Sequence, residues 1–332
     1  MLTFRPPLFD HLRDYSRDRL WADARAGLNV MVLAFPLSMA FAIASGVKPE
    51  QGLFAAIIGG AIIAALSGSP VQIAGPTGAF VIIISTVLHQ HGPEGLFFCT
   101  LMAGAMLCLM SFARLGSVIR FIPYPVSRAL TKGIAVLILS SQVKNFLGLG
   151  VESMPVDFPG KIKVLATNLG AIHGPTVALA LVSLAVIGFW PKRLSRYLPG
   201  GMAGLVLIAL AATALGLPER WGIATVGSQF GEISRSLPAV QVPAAAWAQL
   251  RELIQPAFTI ALLVAMQALL CAVVTDGMLD QRHHSNRELL AQGIANLVGP
   301  LFGCIPVTGA VARSVANVRS GARTPVAGLV HS

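Results

Sequence analysis

The runs QIAGPTGAF at Gln72–Phe80 and GCIPVTGAV at Gly303–Val311 each place Thr-Gly-Ala after a nearby proline and at the head of a short apolar segment. A helix that begins inside a membrane leaves its first N–H groups without intrahelical partners, and lipid supplies none. Thr77, Gly78 and Ala79 in the first run, and Thr308, Gly309 and Ala310 in the second, therefore offer bare backbone donors at the positive end of a helix dipole. The chemistry this favours is reversible binding of a small anion. The threonine hydroxyls can cap the helices or reach a ligand, and the sequence leaves both open.

Further groups bear on the same region. Arg313 lies one turn after Gly309, where a guanidinium is costly unless it meets an acid, a carbonyl or an anion. Asp276 and Asp280, at or beyond the end of their segment, are the few acids in reach. Gln267 stands in the middle of an apolar run and needs partners in a cavity or a helix interface. Ser38 and Phe41, on the first apolar segment, are candidates to line the same cavity.

What positions these groups is an internal repeat. The two threonines are separated by 308 − 77 = 231 residues, and the same shift lays Ala24–Gly46 over Gln255–Gly277 and Phe54–Gln72 over Ser285–Gly303 without a gap. Paired, interrupted apolar segments in two repeats mark a transporter site at the repeat interface. The expected spans are 27–46, bent or broken near Pro36; 52–66; a half-helix from Thr77 to His89; 95–112; 134–147 after Pro123 and Pro125; 172–190; 199–217; 256–275; 288–303; a short segment from Thr308; and an eleventh opening at Pro325. The 13 residues from Thr77 to His89 rise about 20 Å, against a hydrocarbon core of roughly 30 Å. Residues 148–170 read as a mixed-charge connection. Domain bounds follow as 1–26, a cytoplasmic interfacial segment with Leu8, Leu12, Tyr15 and Trp21 on one face; 27–217, the first repeat; 218–254, the connection; and 255–332, the start of the second.

Composition sets the class. With 55% hydrophobic and 11% charged residues over 332 positions, and a mean hydropathy of +0.73, the chain is a polytopic α-helical membrane protein. The net charge of +10 is explained by topology rather than by nucleic acid: Arg114 and Arg120, then Lys192, Arg193 and Arg196, then Arg282 and Arg287, then Arg319 and Arg323 fall in alternate connections. That pattern places the N-terminus in the cytoplasm and the chain in the cell inner membrane, and no cleavable leader is expected. Cys99, Cys108, Cys271 and Cys304 sit singly in apolar runs, and His283 and His284 read as exposed loop histidines. No enzyme, metal or cofactor is implied, and the expected partners are a small anion and the bilayer.

The stretches PLSMAFAIASGVKPEQGLFAAIIGG, SGSPVQIAGPTGAF, RLGSVIRFIPYPV, TDGMLDQRHHSNRELLAQGIANLVGPLFG and GCIPVTGAVARSVANVRSGARTPVAG resemble the sulfate permease (SulP) family of anion transporters. The resemblance implies a seven-plus-seven inverted-repeat fold shared with uracil permease, all-α, with two half-helices, and a second repeat that is incomplete at Ser332. It implies an anion site at Ser38 to Phe41, Thr77 to Ala79, Gln267, Thr308 to Ala310 and Arg313, a homodimer, and further spans with a STAS domain in the family pattern. Gln267 stands where many bacterial members carry a glutamate, and a glutamine cannot carry a coupled proton. The expected function is secondary transport of sulfate, bicarbonate, chloride or a dicarboxylate. The alternatives are a nucleobase carrier of the same fold and a truncated, non-transporting membrane protein.

Overall fold

The computed structural model describes residues 8, 15–119, 124–151, 154–155, 158–191, 193–194, 200–231, 238–240, 242–243 and 250–332. It divides into two compact units, 1–132 with 234–332, and 133–233.

In the first unit, α1 (Arg17–Ala44) is a single helix of 28 residues whose start is capped by the Ser16 hydroxyl, which accepts from the Arg19 N–H at 3.3 Å. Residues 17–26, expected as part of a separate interfacial segment, continue this helix. Leu12 lies outside the described residues. Nor is α1 broken at Pro36: one donor is lost, but the turns on both sides hold helical geometry. α2 (Pro49–Leu66) starts on a proline whose missing N–H would be unpaired anyway, and contains a π-helical turn at Ala55–Gly59.

After α2 the chain runs extended through β1 (Ala74–Gly75), makes a 3-10 turn at Gly78–Phe80 and enters α3 (Val81–Phe112). Gly92, at φ 69° and ψ −174°, adopts a conformation closed to other residues, and with Pro93 next it interrupts α3. The first part, 81–91, is the expected half-helix; the second, 93–112, is the expected fourth span. α4 (Gly116–Ile119) follows, and α5 (Tyr124–Phe146) starts ten residues before the expected Ile134. Pro125 does not stop it, because it falls in the first turn.

In the second unit, α6 (Phe158–Thr167) and a 3-10 turn at Leu169–Ala171 occupy the stretch expected as a connection. α7 (Gly174–Gly188) and α8 (Gly200–Ala214) pack on one another, and short helices α9 (Leu217–Trp221) and α10 (Val226–Phe230) follow.

The chain returns to the first unit with α11 (Leu250–Leu279), α12 (Ser285–Val298), β2 (Thr308–Gly309), α13 (Val311–Arg319) and α14 (Val326–His331). The second part of α3 lies against α11 and α12. Contact with α12 is backbone to backbone: a Cβ at Gly104 would sit 2.7 Å from Leu297 N, and one at Gly293 2.9 Å from Cys108 N. Phe80, Ile84, Leu107, Ile260 and Leu289 form the buried core between these helices. By length and composition, Arg17–Ala44, Pro49–Leu66, Gly78–Phe112 and Leu250–Leu279 are each able to cross a membrane.

Under the 231 shift α1 corresponds to α11, α2 to α12, and 81–91 to α13. β1 and β2, the links that precede the two short helices, pair antiparallel with Ala74 opposite Gly309 and Gly75 opposite Thr308. Continued by one residue, that register sets Pro76 opposite Val307, and the 231 shift carries Pro76 onto Val307. The two ladder pairs thus lie immediately to one side of the position that the 231 shift relates to itself.

Candidate functional site

The β1–β2 bridge fixes the two half-helix starts beside each other. Beyond the ladder, Ala310 N donates to Ile73 O at 2.8 Å, and Ile73 N donates to Ser314 Oγ at 2.8 Å. Asn317 Nδ2 donates to Val71 O at 3.0 Å, so α13 and the residue before it are stitched to the link at Val71 and Ile73. On the other side Asn296 grips the second link, donating from Nδ2 to Val307 O and accepting from Val307 N, both at 2.9 Å. The π-helical turn of α2 packs against the same place, since a Cβ on Gly59 would lie 2.8 Å from the Val307 side chain.

Neither threonine caps its helix. Thr77 stands at the N-cap position in extended conformation without a side-chain bond to the turn, and its hydroxyl donates to Gln267 Oε1 at 3.4 Å. Thr308, fully buried, donates to Val264 O on α11 at 3.1 Å. Gln267 and Val264 lie one turn apart on α11, so that helix receives one hydroxyl from each repeat. Gly78, Ala79, Gly309 and Ala310 are buried around these contacts.

Arg313 crosses from α13 to the other repeat. Its Nη2 donates to Pro76 O at 2.7 Å, immediately before Thr77, while Nη1 is buried without a partner. A Cβ on Gly75 would lie 2.8 Å from Nη1, and Gly75 itself has φ +148°. Space and backbone geometry both restrict that position to glycine. Arg313 has no ion-pair partner among the described residues: Asp276, within α11 rather than beyond it, pairs with His283 Nδ1 at 2.6 Å.

Thr77, Gln267, Thr308 and Arg313 are therefore brought together through α11 and the bridge. Ser38 is fully buried against Gly52 with its hydroxyl unpartnered, and Phe41 is half-buried with its carbonyl taken by Ser45. Neither has a hydrogen bond to the Thr77–Gln267–Thr308–Arg313 group among the described residues. His283 corrects the expectation of an exposed loop histidine, being buried between Asp276 and Ser285 Oγ, the latter 3.0 Å from Nε2. His284 is exposed, and partial burial, with Arg287 and His283 adding to it, holds its imidazole below the usual value.

The sequence reading missed a buried acid. Glu288, in the first turn of α12 and 0% exposed, accepts from Ser67 Oγ, from Gly68 N at 3.1 Å, from Gln72 Nε2 at 2.8 Å and from Gln292 Nε2 at 2.7 Å. Its signal was present: Glu288, Gln292 and Asn296 recur at intervals of four and so line one face of a helix that is apolar elsewhere after its first turn. Asp23 was missed in the same way; it is fully buried and accepts from Tyr15 Oη at 2.7 Å, Arg323 N at 2.8 Å and Thr324.

Two interrupted helices, opposed across a pseudo-two-fold axis within a bundle of membrane-length helices, define a transporter-type membrane protein of inverted-repeat architecture. The sulfate permease family profile matches residues 20–332, and this chain belongs to that family. It is 41% identical over 319 residues to YvdB of Bacillus subtilis, a protein named provisionally as a sulfate transporter, covering 96% of this chain and 59% of that one. It is 32% identical over 319 residues to the bicarbonate transporter BicA of Picosynechococcus, covering 93% and 55%. Among solved structures, the transmembrane domain of a cyanobacterial BicA superposes with a TM-score of 0.82 at 30% identity, covering 94% of this chain and 80% of that one. Murine Solute Carrier 26 family member A9 in its inward-facing state gives 0.87 at 18% identity, covering 98% and 57%, a likeness of fold alone. The chain spans less than two thirds of the length of the two curated relatives.

Proposed function

We propose that the chain carries the binding core of a secondary transporter for small anions (sulfate, bicarbonate, chloride or a dicarboxylate), with the anion held between the starts of 81–91 and α13. The observation that carries the reading is the buried, unpartnered Nη1 of Arg313 beside those starts. Each helix start adds about 0.3–2 kcal/mol of attraction for an anion, depending on burial. Thr77, Gly78, Ala79, Thr308, Gly309 and Ala310 supply donors, Gln267 orients Thr77, and Ser38 and Phe41 close the side toward α1. The N-terminus lies in the cytoplasm, the membrane is the cell inner membrane, and 27–217 and 255–332 belong to successive repeats. Because Gln267 holds no titratable proton, transport proceeds by exchange or passive movement rather than by proton coupling at this position.

The test is flux of labelled sulfate, bicarbonate, chloride and succinate into proteoliposomes containing the full-length protein. Uptake of at least one, saturable and competed by the others, is expected. Folded protein that neither moves nor binds any of them refutes the reading.

A further inference from the structure

Glu288 belongs to the second repeat, yet three of its four hydrogen-bond donors, Ser67, Gly68 and Gln72, come from the link that precedes the first repeat's half-helix. The fourth, Gln292, is its own neighbour one turn on. A carboxylate is the side chain suited to this place, since it accepts at both oxygens and donates nowhere. Gln72 continues the chain of contacts. Its side chain lies flat over Gly309, where an added Cβ would overlap Nε2 and sit 2.8 Å from Cδ and 3.3 Å from Cγ. Gly309 in turn pairs with Ala74 in the bridge.

We infer that Glu288 is a positioning residue for the anion site, acting through Gln72 to set the separation of the two half-helix starts. The inference rests on the anion reading for its functional consequence, but not for its geometry. An amide at 288 keeps one acceptor where the carboxylate had two; the Ser67 hydroxyl can turn to accept, but the Gly68 N–H cannot, so the remaining oxygen is drawn to Gly68 and Glu288→Gln weakens the hold on Gln72 and lets Gly309 shift. Ser67→Ala removes a different donor from the same carboxylate and leaves Gln72 in place.

Two measurements test it on the full-length protein. The first is anion KM, with thermal stability recorded alongside. Glu288→Gln is expected to raise KM about tenfold, the size of one lost hydrogen bond to a charged group. Gln72→Ala is expected to do the same without adding to it, while Ser67→Ala lowers stability and leaves KM within about twofold. The second needs no transport: the rate of disulfide formation by a membrane-permeant oxidant in Ile73→Cys/Ala310→Cys protein, across the hydrogen bond that extends the bridge. Glu288→Gln is expected to change that rate at least about tenfold, by the same arithmetic, and Ser67→Ala to leave it alone. An unchanged disulfide rate in Glu288→Gln overturns the inference even if no anion is transported. So does a KM that moves equally in Ser67→Ala and Gln72→Ala. Failure of the unmodified protein to transport or bind, with the disulfide rate responding as expected, overturns only the anion reading.

Discussion

Adding one methyl group at Gly309 tests how tightly the two half-helix starts are locked. The new Cβ would overlap Nε2 of Gln72, which is 2% exposed and cannot swing out while it is bonded to Glu288. Overpacking a core by a methyl costs about 1–3 kcal/mol. Displacing Gln72 also breaks a hydrogen bond to a carboxylate, worth about 1.5–3 kcal/mol. Gly309→Ala is therefore expected to destabilise by about 2.5–6 kcal/mol, at the upper end for single substitutions. In Gln72→Ala protein the same methyl enters the space that the glutamine vacated and costs less than about 1 kcal/mol. Equilibrium unfolding in mixed micelles of the four members of this cycle measures both numbers. Equal cost of Gly309→Ala with and without the Gln72 side chain would refute the reasoning, because the contact would then not be what excludes the methyl.

Three other outcomes are expected. Arg313→Ala lowers anion affinity by more than about 30-fold, 2 kcal/mol or more, as for truncation of a buried charge that meets its partner, and flux competition measures it. Gln267→Glu introduces pH dependence into transport, and flat profiles in both forms would remove this position from any coupling role. Burial, reinforced by the Asp23 carboxylate, pushes the Tyr15 hydroxyl up to about 12. A folded-state value raised above the unfolded one means that the contact stabilises fully below pH ~10 and is lost as pH climbs toward ~12; Tyr15→Phe should abolish that alkaline loss in an unfolding titration.

The legible part of the architecture came from identity between distant segments. Thr77 and Thr308 announced the half-helices because Thr-Gly-Ala after a proline is an unusual way to begin an apolar run, and the gapless 231 shift paired α1 with α11. The prolines were less informative. Pro36 leaves α1 unbroken and Pro125 sits in the first turn of α5, since a proline shows which hydrogen bond is missing and not whether neighbouring turns compensate. α6 escaped notice because Lys161 and Lys163 made it read as a loop, although Lys161 is buried and donates to Ser141 Oγ at 2.6 Å. Glu288 lay hidden for a related reason. It stood at the very start of the expected span 288–303, where an acid reads as a polar boundary, although the spacing to Gln292 and Asn296 already placed it on the inward face.

The register of the β1–β2 ladder, which continued by one residue sets Pro76 opposite Val307, bears on how alike the two halves are. An antiparallel ladder maps onto itself under a two-fold rotation. Here the chain enters a 3-10 turn at Gly78, so the bridge brings together the equivalent link of each half but pairs it on one side only. The halves differ at equivalent positions. Arg313 now faces Ile82 across the 231 shift, Gln267 faces Pro36, and Pro306 faces Gly75. The two halves thus offer matched helix starts but place a guanidinium on only one of them, so the frame is near-symmetric in backbone and lopsided in charge.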